Sequence, residues 1–191
     1  MQMSAWMQLE NIEGEQLLGQ VGNAGDVLLD ALLAALLGRV PAHERIVTIE
    51  DVAELRVRHP HHVRLEARQP NLEGAGAVPL ARLVREALRM RPDRLVVGEC
   101  RGEEVRELLT ALNTGHDGGA GTVHAGSIRD LPARFEALGA LAGMDERAVA
   151  RQVVSAIGTV IHVERAGDGI RRIAGLARPV LTDGRLAMEE Q

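Results

Sequence analysis

The chain has 191 residues, of which 46% are hydrophobic and 26% are charged, and its formal net charge is −5. This length is enough for one well-buried domain and short for two. All 22 positively charged residues are arginines, so no lysine is available to supply an ammonium group. The negative charge and the lack of a basic run argue against binding to nucleic acid, whose phosphates require clustered positive charge.

Cysteine content and hydropathy restrict the cellular setting. The single cysteine, Cys100, excludes an internal disulfide and a paired-cysteine metal site, which fits a reducing cytoplasm. The longest apolar run, Val27 to Leu37, contains Asp30 and is too short to cross a bilayer. The N-terminal residues are acidic and lack the basic flank and apolar core of a secretory signal. We therefore expect one cytoplasmic globular domain.

Hydrophobic periodicity predicts strands that alternate with helices. Residues 1–18 show no clear period and stay unassigned, because Trp6 and the nearby methionines fit either a short helix or a frayed tail. The next predicted elements are a helix over Val27–Leu37, a strand over Ile46–Ile49, an irregular or edge-strand passage within 63–68, a helix over Leu80–Met90 and a strand over Leu95–Val97. The last are helices over Glu103–Leu112, Leu131–Leu141 and Glu146–Ile157, a strand over Thr122–His124, and a C-terminal β-hairpin of Val160–Val163 with Ile170–Ile173. This order is typical of an α/β fold with a mainly parallel sheet and helices on both faces.

Polar side chains follow three of the predicted strands. Glu50 and Asp51 follow the first strand, with Glu54 close behind, Glu99 follows the second, and His124 ends the third. Ligands of open α/β sheets bind beyond the carboxyl ends of the strands. Strand-end carboxylates can hold a hydrated Mg²⁺ or polarise an attacking water, and His124 could contact a terminal phosphate.

The stretch GQVGNAGDVLLDALL, from Gly19 to Leu33, contains part of a phosphate-binding loop. Such a loop has the form GxxxxGK followed by Ser or Thr, and it holds nucleotide phosphates with its backbone N–H groups and its lysine. Gly22 and Gly25 are present, but no lysine follows them. Taken alone, these two glycines fit an ordinary turn before a helix.

Four blocks of sequence together resemble the type II/type IV secretion ATPase superfamily, and most closely its branch associated with Tad (Flp) pili and conjugal transfer. The blocks are ERIVTIEDVAEL, VRLEARQPN, ALRMRPDRLVVGECRGEE and NTGHDGGAGTVHAGS, and they occur in the family's order between Leu28 and Ile173. The resemblance implies a RecA-like P-loop NTPase motor domain over 19–191. We expect the N-terminal domain that precedes the motor in this family to be absent.

The resemblance also implies roles for individual residues. Glu50, Asp51 and Glu54 would serve metal and water, Glu99 at the end of the Walker B strand would orient water, and His124 would contact phosphate. Arg64 and Arg68 match arginines that look like γ-phosphate contacts in the family, and Arg101 follows the Walker B strand. The implied residues are Glu50, Asp51, Glu54, Glu99 and His124 for catalysis, Gly22, Gly25, Arg64, Arg68 and Arg101 for the nucleotide, Glu50 and Glu99 for metal, and Arg89 and Arg91 as a basic pair before the Walker B strand.

Each of these residues also has a structural interpretation. The first carboxylates could be strand-end caps, Glu99 a solvated carboxylate, His124 a structural histidine and the arginines surface charges. Three histidines close in sequence, His59, His61 and His62, invite a metal site, but their spacing fits no compact zinc pattern and favours a solvated loop. His116 and Cys100 are expected to support the loop and strand around them.

The family resemblance implies ATP and Mg²⁺ as cofactors and a homo-oligomer, expected to be a hexameric ring. Its partner would be an inner-membrane secretion or pilus platform protein, with the chain cytoplasmic and peripheral to that membrane. No nucleic acid is expected. ATP hydrolysis in such a ring drives domain motion for secretion or pilus assembly.

The glycine loop departs from the family pattern where the phosphates would bind. Aligning the family's LLxALL on Leu28 to Leu33 leaves Asp26 and Val27 where Lys-Thr-Thr is expected, and Gly126 replaces an asparagine after His124. Exchanging Lys for Asp turns an attraction of roughly 4 kcal/mol, at an effective dielectric of about 20, into repulsion. The sequence therefore predicts an impaired ATPase, with a non-hydrolysing structural or regulatory subunit and a decayed gene product as alternatives.

Overall fold

The structure is a computed structural model that describes residues 3–7, 28–115, 118–168 and 170–191. Its strands are β1 (Met3–Met7), β2 (Ile46–Glu50), β3 (His62–Glu66), β4 (Arg94–Val97), β5 (Ala120–His124), β6 (Thr159–Arg165), β7 (Arg171–Thr182) and β8 (Arg185–Glu190). Its helices are α1 (Leu28–Leu37), α2 (Leu80–Arg89), α3 (Glu104–Leu112), α4 (Leu131–Leu141) and α5 (Glu146–Ala156), with a 3₁₀ helix at Ile128–Asp130. None of the helices in these ranges is long and apolar enough to cross a membrane.

The strands form one sheet in the order β3-β2-β4-β5-β1-β6-β7-β8. The first four strands in this order pair in parallel, and we call them the parallel half. Every later pairing is antiparallel, and β1, β6, β7 and β8 make up the antiparallel half. The α/β class is therefore confirmed, and parallel pairing is confined to one half of the sheet.

β1 is a strand that the sequence did not predict. It lies between β5 and β6 and runs opposite to both, so that Met3 pairs with His124 and Met7 pairs with Ala120. The five residues of β1, MSAWM, are too few to show a strand period. The partners of β1 lie more than a hundred positions away, so local sequence gives no sign of the pairing.

The two inner strands β2 and β4 of the parallel half are buried on both faces. All five residues of β2 and all four of β4 are buried, which explains why their sequences are nearly continuous apolar runs. Successive side chains point to opposite faces. Val47 and Ile49 pack in the cluster that includes α2, α3, α4 and α5, whereas Ile46 and Val96 pack with α1. Helices therefore cover both faces, as predicted.

Most predicted elements agree with the structure to within one or two residues, but the C-terminal strands are longer than predicted. The hairpin was predicted from Val160–Val163 and Ile170–Ile173, whereas its strands are Thr159–Arg165 and Arg171–Thr182. β8, with the sequence RLAMEE, was not predicted, because this edge strand buries little apolar surface.

Candidate functional site

Three strand ends of the parallel half bring three of the candidate residues together. Glu50 ends β2, Glu99 follows β4 by two residues and His124 ends β5, and these strands are neighbours in the sheet. The Glu99 Oε1 lies 2.9 Å from the His124 Nε2. Glu50 packs against Gly98, where a Cβ atom would lie 2.8 Å from the Glu50 Cγ. A glycine is needed before Glu99 because the two strand ends approach so closely.

Glu50 is a buried carboxylate with one free oxygen. Only 4% of the Glu50 residue is exposed to solvent. Oε1 accepts hydrogen bonds from the backbone N–H groups of Glu54 at 3.0 Å and Leu55 at 2.8 Å. Oε2 is buried and has no hydrogen-bond partner among the described residues. An unpaired buried polar atom is costly, so Oε2 is an acceptor suited to a cation or a water.

Glu99, by contrast, has both oxygens engaged. Oε1 faces His124, and Oε2 pairs with the Arg101 Nη2 at 2.5 Å. The hydrogen bond to Glu99 raises the pKa of the Arg101 guanidinium, which keeps it positively charged. The other ring nitrogen of His124, Nδ1, is buried and has no hydrogen-bond partner in the described part of the chain. His124 therefore has one nitrogen fixed by Glu99 and a second available for a ligand.

Asp30, in the first turn of α1, adds a further carboxylate to this region. Its pKa is raised, first by burial and then by the charges of Glu54 and Glu50, with Glu99 contributing less. The charge of Arg171 acts in the opposite direction. These interactions mean that the start of α1 faces the acidic strand ends. Sequence patterns assign no role to Asp30, because an acidic residue in a first helical turn is ordinary.

A cavity of about 360 Å³ lies beside this cluster. Asp51, Arg68 and Arg101 line it together with the start of α2 and the turn before α3. Arg68 donates from Nε to the backbone oxygen of Gly76 at 2.6 Å. Arg101 connects the two regions, since it borders the cavity and pairs with Glu99.

Other candidates lie away from the strand ends. The Arg64 guanidinium donates to the backbone oxygen of Leu55 at 2.7 Å, and its residue pairs with Thr48 in the middle of β2. Arg89 is the last residue of α2, and Arg91 lies between α2 and β4, at the amino end of that strand. Glu54 is exposed, and it contributes its backbone N–H to Glu50. Three candidates lie outside the described residues, namely Gly22, Gly25 and His116.

The three neighbouring histidines have structural partners. The His59 Nε2 lies 3.2 Å from the backbone oxygens of Val40 and Pro41. The His61 Nε2 accepts from the Arg45 Nε at 2.8 Å. His62 makes a 2.9 Å hydrogen bond to Thr48, and its pKa is lowered, mainly by burial. The rings are thus separately bonded parts of the fold, half-buried, with His59 and His61 in the turn before β3 and His62 at its start.

The free thiol of Cys100 is fully buried, and its side chain has 0% exposure. Burial is the largest of the effects that raise the pKa of this thiol, followed by the charges of Glu104 and Glu99. A thiol held in its neutral form is a poor nucleophile. Cys100 therefore supports the strand end, as predicted from the sequence.

The carboxylates fit a magnesium site that substrate phosphates complete better than a site formed by protein ligands alone. Within the described ranges, no group of three or more His, Cys, Asp or Glu side chains is arranged to hold a metal ion. Mg²⁺ is commonly held by one or two carboxylates together with substrate phosphates. The free Oε2 of Glu50 suits that role, whereas Glu99 is occupied by Arg101 and His124.

The fold is that of an α/β domain whose polar strand ends cluster at one edge of the sheet, and comparison with known proteins identifies the family. The family described as "Type II/IV secretion system protein" matches residues 30–172. The chain belongs to this family. The resemblance inferred from the four sequence blocks is confirmed.

Relatives of the chain act in conjugation and secretion systems, as their names state. A putative conjugal transfer protein of Mycobacterium tuberculosis H37Rv is 57% identical over 155 residues, which are 81% of this chain and 44% of the relative. The type IV secretion system protein PtlH of Bordetella pertussis is 40% identical over 162 residues, covering 81% and 46%. The crystal structure of the VirB11 ATPase from the Brucella suis type IV secretion system, in complex with sulphate, matches with a TM-score of 0.62 and 30% identity, covering 77% and 44%. The chain spans less than half the length of these proteins.

Proposed function

We propose that the chain is the ATPase motor domain of a type II/IV secretion or Tad-type pilus assembly system, with hydrolysis impaired by the loss of the phosphate-binding lysine. The observation that carries this proposal is the meeting of Glu50, Glu99 and His124 at adjacent strand ends. ATP with Mg²⁺ would supply a terminal phosphate open to attack by water. Family membership and the likeness to the VirB11 ATPase support this assignment.

Each residue of the cluster would have its own role in ATP hydrolysis at this edge of the sheet. Glu50 would hold a magnesium ion, directly or through water, with its free Oε2. Glu99 would orient the attacking water once one of its oxygens is released from its present partner. His124 would contact the phosphate through its second nitrogen. Arg68 and Arg101, which border the adjacent cavity, would neutralise negative charge.

A second candidate function is a non-hydrolysing structural or regulatory subunit of the same machinery. The absence of lysine from the whole sequence favours it. So does the position of Asp30, which brings another carboxylate to the acidic strand ends. Burial and the negative charge of this region raise the pKa of Asp30. The same negative charge would repel a phosphate group.

For either function we propose assembly into a homo-oligomeric, hexameric ring that docks on an inner-membrane secretion or pilus platform protein. The chain would then be cytoplasmic and peripheral to the membrane through its partners. The names of the relatives, which refer to conjugal transfer and type IV secretion, support this setting.

Turnover of Mg-ATP and the nucleotide-dependent shift in melting temperature together separate the two functions. We expect slow turnover in the purified chain, and loss of that turnover in Glu99→Gln, because the neutral amide is a poor water-activating group. Glu146→Gln is the control, since Glu146 is exposed at the start of α5 and does not line the cavity. Folded protein with neither turnover nor a thermal shift would contradict the motor and favour the non-hydrolysing subunit.

Restoring the phosphate loop tests whether residues 19–27 are a loop remnant. In this variant Lys-Thr-Thr replaces Asp26 and Val27. We expect nucleotide affinity to rise by several decades, because a charge reversal near phosphate amounts to as much as about 8 kcal/mol at an effective dielectric of about 20. Isothermal titration calorimetry with Mg-ATP measures the change. Unchanged affinity would show that this segment is an ordinary turn.

A further inference from the structure

Glu104 is a charged residue that is almost completely buried beside the site. It is the first residue of α3, and it is 5% exposed. Its Oε1 accepts from the backbone N–H groups of Arg101 at 2.5 Å and Gly102 at 2.7 Å. A Cβ atom at Gly102 would lie 3.3 Å from the Oε2, so the carboxylate packs closely under the turn. Two charge-assisted hydrogen bonds near a helix N-terminus compensate for burying this charge.

The turn over 99–102 is held at consecutive backbone groups. The N–H of Cys100 donates to the backbone oxygen of Thr122 at 2.9 Å, and the next two N–H groups donate to Glu104. The side chain of Cys100 is fully buried. The backbone that carries Arg101 is therefore fixed on one side by β5 and on the other by Glu104.

The backbone of Arg101 is fixed, whereas its side chain is 63% exposed to solvent. An exposed arginine loses rotamer freedom when it is held in one geometry. Its guanidinium nevertheless lies 2.5 Å from the Glu99 Oε2. A fixed backbone reduces the number of directions in which the side chain can point, and so favours this contact.

We propose that Glu104 is a positioning residue that fixes the Arg101 backbone, so that the Arg101 guanidinium holds Glu99 in place against His124. In this arrangement both Glu99 oxygens are occupied, and Glu99 is released when Arg101 turns to another anion at the adjacent cavity. Guanidinium pairs with phosphate as well as with carboxylate. A phosphate group at the cavity would thus free one oxygen of Glu99. The role of Glu99 in hydrolysis rests on the proposed function, whereas the coupling from Glu104 to His124 does not.

The test is made by NMR spectroscopy on the full chain without nucleotide. Glu104→Ala removes the acceptor, Glu104→Gln keeps an acceptor oxygen, and Glu103→Ala is the control in the same turn. We expect the amides of Arg101 and Gly102 to exchange at least about tenfold faster in Glu104→Ala, because each loses a charged acceptor. The imidazole resonances of His124, assigned with His124→Gln, should shift in the same variant.

Two further comparisons make the result decisive. Arg101→Ala should shift the His124 resonances in the same direction as Glu104→Ala, and Glu104→Gln should remain close to the unmodified chain. His124 resonances that stay unchanged in Arg101→Ala would overturn the proposal, even if Glu104→Ala failed to fold. Fast exchange in Glu104→Ala with unchanged His124 resonances would also overturn it, since Glu104 would then be only a helix cap. Absence of ATP turnover would contradict the proposed function alone, because no nucleotide is used here.

Discussion

The two halves of the sheet differ in what happens at their strand ends. In the parallel half, β2, β4 and β5 all end at one edge, and Glu50, Glu99 and His124 meet there. In the antiparallel half, successive strands end at opposite edges, so their polar ends are dispersed. β7 is mostly half-buried or exposed, whereas β2 is wholly buried. Parallel pairing therefore concentrates the candidate chemistry in one half, whereas the buried core extends into β6 of the other half.

The largest expected difference between the halves is in core packing. Ile49 in β2 has 0% exposure, whereas Leu181 in β7 is 47% exposed. We expect Ile49→Ala to lower the free energy of unfolding by about 2–5 kcal/mol, through lost burial and the cavity that remains. Leu181→Ala should change it by less than about 0.5 kcal/mol. Urea denaturation followed by circular dichroism measures both, and equal losses would contradict the contrast between the halves.

A pair of glycine substitutions sharpens the comparison at the site. A Cβ at Gly98 would lie 2.8 Å from the Glu50 Cγ, in a side chain fixed by two hydrogen bonds. A Cβ at Gly175 in β7 would meet only the terminal Cδ1 of Ile128, also at 2.8 Å. We expect Gly98→Ala to cost about 1–3 kcal/mol of stability, as overpacking does in other cores. Gly175→Ala is the matched control in the antiparallel half.

Ile128 can move its methyl group aside, so Gly175→Ala should be the milder of the two in thermal melts. The same substitutions also test the site itself. Gly98→Ala should displace Glu50 and weaken any response to Mg-ATP, whereas Gly175→Ala should leave that response intact. A Gly98→Ala protein as stable as the Gly175→Ala protein would mean that Glu50 is not held as tightly as its contacts indicate.

The smallest expected effect is a pH dependence at Asp30. Folding raises the pKa of this carboxyl, chiefly through burial and then through Glu54 and Glu50. Its contribution to stability is therefore complete below the ordinary pKa of 3.8 and is lost as the pH rises through the raised value. Asp30→Asn, which stays neutral, should melt at a higher temperature than the unmodified chain near neutral pH.

This difference in melting temperature should shrink as the pH falls below 3.8, where Asp30 is protonated in both folded and unfolded chains. The favourable position of an acidic group in the first turn of α1 offsets part of the gain, so the effect is small. Thermal melts of the two proteins over a pH series measure it. A difference that is independent of pH would show that the acidic strand ends do not act on Asp30.

The parallel half could be predicted from the sequence, and the antiparallel half only in part. β2 and β4 are buried on both faces, so their sequences are apolar runs that end at Glu50 and near Glu99. β1 and β8 lack such a signal: one depends on distant partners and the other is an edge strand. Their positions come from tertiary pairing, which the local pattern does not encode.

The same division applies to the candidate site. Glu50, Glu99 and His124 could be found because each follows a readable strand. The contacts that hold these side chains in place could not be predicted. The pairing of Glu99 with Arg101 and the hydrogen bonds to Glu104 depend on how the turn after β4 folds back. Arg64 matched the family pattern but lies in the middle of an edge strand, bonded to the backbone of Leu55.

The direction of β1 decides where an affinity tag or fluorophore can be attached. Because Met3 pairs with His124, the start of β1 lies at the same edge as Glu99, and a bulky group attached at Met3 would crowd it. β8 lies four strands away from β5, which is about 19 Å at the usual strand spacing. Labels for binding or assembly measurements therefore belong after Gln191, where they leave the strand ends open.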